Sequence, residues 1–67
     1  MGYVDRKNKI TIEITSSDIR MIDIDKWFEN CLELHIKRYP TGKIVITFYN
    51  PNEILIEDLE SKGLLRR

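Results

Sequence analysis

The stretch Asp25-Lys26-Trp27-Phe28-Glu29-Asn30-Cys31-Leu32-Glu33-Leu34-His35-Ile36-Lys37-Arg38-Tyr39 decides the fold, because everything around it reads as strand or short helix. Wound at about 100° per residue, Trp27, Phe28, Cys31, Leu32, Leu34, Ile36 and Tyr39 fill one broad arc. Lys26, Glu29, Asn30, Glu33 and Lys37 share the other side. Asp25 fits an N-cap, since its carboxylate can accept from the free amides of a first turn, and Pro40 with Gly42 would stop the helix. The spacing therefore predicts one helix from about Lys26 to Tyr39 that covers the face of a sheet.

Upstream, Lys9 to Thr15 alternates strictly, with Ile10, Ile12 and Ile14 on one face and Lys9, Thr11, Glu13 and Thr15 on the other. That is the pattern of a half-buried strand. Ser16-Ser17-Asp18 is turn-prone, and Ile19 to Ile24 alternates with one change of phase, which predicts a second strand with a bulge. Downstream, Pro40-Thr41-Gly42-Lys43 reads as a tight turn into a third strand, where Ile44, Ile46 and Phe48 alternate with Val45, Thr47 and Tyr49. Asn50 before Pro51, with Glu53 beyond, suggests the N-terminus of a short helix, and Lys62-Gly63-Leu64 suggests its glycine-capped end. The expected class is α+β with the order ββαβα: a three-stranded, largely antiparallel sheet packed by one long helix and a short C-terminal helix. One domain spans residues 1–67, with 1–8 expected to be flexible and 65–67 frayed.

Composition limits what such a domain can do. A chain of 67 residues buries about 60% of its unfolded surface, enough for one core but not for a deep cleft, so a self-contained enzyme is not expected. Eleven basic and eleven acidic side chains give a net charge of zero, which favours protein partners over nucleic acid or an anionic membrane. The zero conceals blocks: residues 1–9, 35–43 and 61–67 are basic, whereas 10–34 and 44–60 are acidic. One cysteine forms no internal disulfide, and no run reaches the roughly 18 apolar residues of a membrane span, so a cytoplasmic, soluble protein is expected. Eleven isoleucines without one alanine fit an AT-rich genome, such as that of a low-GC bacterium, an archaeon or one of their viruses.

No catalytic, cofactor or metal site is expected. Cys31 and His35 stand four apart on the expected helix, a spacing that suits a metal ion or a nucleophile and base, but no second Cys or His exists to complete a zinc site. A buried thiol beside a hydrogen-bonded imidazole is the simpler reading. Asp23 and Asp25 would share one face of an extended segment, as in Mg²⁺ sites, yet capping accounts for Asp25. Residues Asp58 to Arg67 resemble the end of the recognition helix in MarR-type winged-helix regulators, where Leu-Glu-x-x-Gly-Leu precedes the wing. The likeness is mainly that of a glycine-capped helix end, and no family function follows from it.

The best functional lead is the outward sheet face, where Val45, Thr47 and Tyr49 lie beside Thr11 and Glu13. With both helices on the other side, that face or an unpaired edge would be open to a partner. The expected function is a non-enzymatic protein-binding module or small regulator or inhibitor, of viral or mobile-element type, acting as a homodimer or on another protein. The alternative is a nucleic-acid-binding protein using Lys37, Arg38 and Lys43 with the terminal Arg66 and Arg67.

Overall fold

The structure, a computed structural model, describes residues 7–65. Strand β1 (Lys9–Thr15) leads into a 3₁₀ helix (Ser16–Met21), helix α1 (Ile24–Glu29), strands β2 (Glu33–Arg38) and β3 (Lys43–Tyr49), and helix α2 (Glu53–Ser61). The strands form one antiparallel sheet in the order β1-β3-β2. The class is α+β, built on a three-stranded antiparallel sheet with helices.

The strict alternation in β1 and β3 sets the inner face. Ile12, Ile14, Ile44, Ile46 and Phe48 are buried there and close a core with Trp27 of α1 and with Leu55 and Leu59 of α2. The register matches these rows: Ile12 stands opposite Ile46, and Ile36 opposite Ile46 on the other side. Trp27 is fully buried and meets Phe48 edge to face, with ring centroids 5.6 Å apart.

Two expected elements are corrected. The helix from Lys26 to Tyr39 is instead one and a half turns of α1 followed by β2. Asn30 ends the helix, its Nδ2 donating to the Lys26 carbonyl at 2.7 Å. Beyond it the backbone extends, because β3 is buried along its inner face and needs hydrogen-bond partners on both edges; β1 supplies one and β2 the other. The turn at Pro40 thus closes a hairpin rather than ending a helix. The Gly42 amide donates to the Tyr39 carbonyl at 3.0 Å, the Tyr39 amide to the Lys43 carbonyl at 2.9 Å, and Gly42 takes φ +93°. A glycine in that conformation is what a three-residue hairpin loop requires.

The expected strand from Ile19 to Ile24 is also absent, and most of it lies in the 3₁₀ helix and the start of α1. Asp18 holds the turn, its Oδ2 accepting from the Thr15 amide at 3.2 Å and the Thr15 hydroxyl at 3.1 Å. The caps move as well. Asp23, not Asp25, caps α1 by accepting from the Lys26 amide, and Asn52, not Asn50, caps α2 by accepting from the Leu55 amide. Asn50 instead adopts φ +55° at the end of β3.

The glycine-capped end of α2 is as expected: the Leu64 amide donates to the Leu59 carbonyl and the Gly63 amide to that of Glu60, with Gly63 at φ +73°. Of the flexibility expected at 1–8 and the fraying expected at 65–67, residues 1–6 and 66–67 lie outside the described residues. Within them, the Asn8 carbonyl accepts from the Asn50 amide at 2.7 Å, and Leu65 packs against the core.

Candidate functional site

Because side chains alternate along a strand, the register fixes what the outer face presents. Across the sheet its rows read Lys9, Tyr49 and Glu33, then Thr11, Thr47 and His35, then Glu13, Val45 and Lys37, with Thr15 and Lys43 at the end. The helical side chains of the core, Trp27, Leu55 and Leu59, pack with the inward isoleucines and Phe48, so no described helix covers the outer face.

Local contacts organise this face. The Thr11 and Thr47 hydroxyls are 3.3 Å apart, the His35 ring meets Tyr49 edge to face at 5.4 Å, and His35 Nε2 lies 3.0 Å from Glu33 Oε1. Lys43 lies 3.8 Å from Glu13. Lys37 and Lys43 place their ammonium groups 5.4 and 5.0 Å from the centroid of the Tyr39 ring. The face thus combines an aromatic end, a hydroxyl centre and charges of both signs.

Every residue expected at a protein interface, Thr11, Glu13, Val45, Thr47 and Tyr49, falls on this one face. The nucleic-acid set is divided. Lys37 and Lys43 lie outward, but Arg38 pairs with Ile44 and so belongs to the inner side, while Arg66 and Arg67 lie outside the described residues. The Gly42 amide, in the turn between Lys37 and Lys43, donates to the Tyr39 carbonyl.

The metal and nucleophile readings do not assemble. Cys31 sits in the turn between α1 and β2 and packs against the core, where burial pushes its thiol pKa up. His35 is exposed on the opposite face of the sheet. Among the described residues no three His, Cys, Asp or Glu side chains are grouped to hold a metal ion. A shallow cavity of about 220 Å³, lined by Glu13, Ile14, Thr15, Ser16, Thr41, Gly42 and Lys43, lies at the turn end of the sheet. It falls below the roughly 300 Å³ where small-molecule pockets begin.

A second surface was hidden by the helical reading. Phe28, Leu32 and Ile36, assigned to a buried arc, are 61%, 51% and 50% exposed. The alternation of Leu34 and Ile36 with Glu33, His35 and Lys37 was the available signal. It marks an edge strand whose inner side is only partly covered.

The fold and this face together define a small α+β domain with one sheet face that no described helix covers. Comparison with protein-family models, curated proteins and solved structures gives no match to this chain. No helix among the described residues is long and apolar enough to cross a membrane.

Proposed function

We propose that this protein is a non-enzymatic binding module that engages protein partners through the outer face of its sheet, as a small regulator or inhibitor of viral or mobile-element type, with the homodimer as its simplest assembly. The observation that carries this reading is the convergence of Thr11, Glu13, Val45, Thr47 and Tyr49 on a face that no described helix covers. A sheet face with an aromatic anchor, satisfied hydroxyls and a charged border has the composition of a protein interface: Tyr supplies contact area at low entropic cost, and the border charges fix register. Tyr49→Glu and Val45→Glu test it. Each should abolish assembly or co-purification with a partner while circular dichroism stays unchanged. Unaltered sedimentation and pull-down behaviour in both variants would remove the reading.

A second reading is binding of single-stranded nucleic acid, favoured by the Tyr39 ring between Lys37 and Lys43. Aromatic rings flanked by cations stack bases and offset phosphate charge. It predicts binding that falls steeply with added salt and is lost on Lys37→Glu. A gel shift at two salt concentrations separates it from the first reading.

A further inference from the structure

The border of the outer face has a layout that bears on the identity of the partner. Four charges mark the corners of its first three rows: Lys9 and Glu33 flank Tyr49, and Glu13 and Lys37 flank Val45, with Thr15 and Lys43 in a row beyond. Like charges therefore lie on the diagonals. Such a quadrupole matches its own image when rotated half a turn about an axis in its plane.

We propose that the partner of this face is a second copy of the chain, docked face to face about a twofold axis that crosses the strands over the row Thr11, Thr47 and His35. The inference rests on the reading of the outer face as a protein interface and names its occupant. The rotation exchanges the row of Tyr49 with the row of Val45. Lys9 then stands over the partner's Glu13, Glu33 over the partner's Lys37, and Tyr49 over the partner's Val45. The two pairings, Lys9 with Glu13 and Glu33 with Lys37, each occur twice across the dimer, while Thr11, Thr47 and His35 each meet their own counterpart.

Neighbouring arrangements lose this match. Moving the axis to lie between the Thr47 and Val45 rows brings Lys9 over the partner's Thr15 and Glu33 over the partner's Tyr39, leaving both charges opposite neutral groups. An axis along β3 pairs Lys9 with the partner's Glu33 and Glu13 with the partner's Lys37, but it brings Lys43 over the partner's Lys43. Like charges so placed oppose docking. The crosswise axis carries Lys43 past the end of the facing strand instead.

Two twisted sheets in this arrangement pack about 10 Å apart and about 30° from alignment. Strands of six and seven residues offer a patch of roughly 14 by 24 Å, below the roughly 800 Å² per partner of a standard interface, so the dimer is weak.

Charge-swap sedimentation at low salt tests the geometry, from about 10 µM to about 1 mM. The wild-type chain should dimerise. Lys9→Glu and Glu13→Lys should each be weakened at least about tenfold, since each homodimer then carries two repulsive corners. An equimolar mixture of these two variants should recover wild-type dimerisation, because both mixed corners become attractive again. A mixture of Lys9→Glu with Glu33→Lys should not recover it. Recovery in that second mixture alone would overturn the crosswise axis, and a wild-type chain monomeric throughout the range would overturn self-docking altogether. If the monomer still captures another protein in a manner abolished by Tyr49→Glu, the outer face remains a protein interface and only the second copy is excluded. A dimer indifferent to the charge variants and to Tyr49→Glu alike would remove both.

Discussion

Asp58 is where the two helices are fastened. Its carboxylate accepts from Trp27 Nε1 at 2.6 Å and from Lys62 Nζ at 2.7 Å through Oδ2, and from Lys26 Nζ at 3.3 Å through Oδ1. Lys62 also lies over the Trp27 ring, 5.4 Å from its centroid. The hydrogen bond from Lys62, followed by that from the indole, holds the Asp58 pKa at about 2 against an ordinary 3.8, with burial opposing both. A depressed pKa means that the folded state binds the proton less well than the unfolded chain, so this stabilisation is complete above the unfolded value and fades as pH falls from about 4 towards about 2. Asp58→Asn should lower stability by about 1–2 kcal/mol at neutral pH and flatten the acid limb. Urea unfolding followed by Trp27 fluorescence at pH 7 and pH 3 measures both; equal wild-type and variant losses on acidification would contradict the role. No pattern in the sequence announces this contact, because Trp27 and Asp58 are 31 residues apart. A tryptophan in an apolar arc shows that a ring is buried, not which carboxylate its N–H will find.

At the scale of elements, the loops and caps carry most of the definition. Asn52 caps α2 through the Leu55 amide at 3.0 Å and donates from Nδ2 to Asn30 Oδ1 at 2.7 Å, tying the start of α2 to the end of α1. Asn52→Ala removes both bonds and should cost about 1–2 kcal/mol, read from the urea midpoint. Gly42→Ala makes only an ordinary van der Waals contact, with Ser16 Oγ 3.6 Å from the added carbon, so its penalty is conformational. An L residue held at that positive φ should cost about 1–2 kcal/mol; an unchanged midpoint would refute the hairpin geometry. Local chemistry made parts of this legible: Gly63 behind α2 and Gly42 after Pro40-Thr41 both sit where a left-handed residue is needed. Thr15-Ser16-Ser17-Asp18 also carried its own capping signal, but the alternation of Ile19 and Met21 with their neighbours obscured it.

For the whole molecule, the sheet divides two kinds of side chain that are adjacent in sequence. Phe48 is fully buried and packs on Trp27, whereas Tyr49 points to the outer face. Phe48→Ala should cost about 3–5 kcal/mol, comparable with the entire stability of a domain this small, and should leave the chain largely unfolded by circular dichroism. Tyr49→Glu should leave the thermal midpoint within a few degrees while removing assembly. Phe28→Ser, at a ring 61% exposed, should likewise change stability little, and a large loss there would mean that the ring is covered in solution.

The strands at Lys9 to Thr15 and Ile44 to Tyr49 were set by sequence alone, together with the inward and outward face of each. A period of two in β-branched residues admits only one way to bury Ile12, Ile14, Ile44, Ile46 and Phe48, and that choice also exposed Thr11, Glu13, Val45, Thr47 and Tyr49 together. Only the tertiary structure decided residues 30–38. Their apolar groups satisfy a helical arc and an alternating strand about equally well. The balance is tipped by the unpaired edge of β3, whose amides and carbonyls find their partners when Glu33–Arg38 extends alongside it. The same pairing set the border of the functional face, since Glu33 and Lys37 flank Tyr49 and Val45 only in an extended β2.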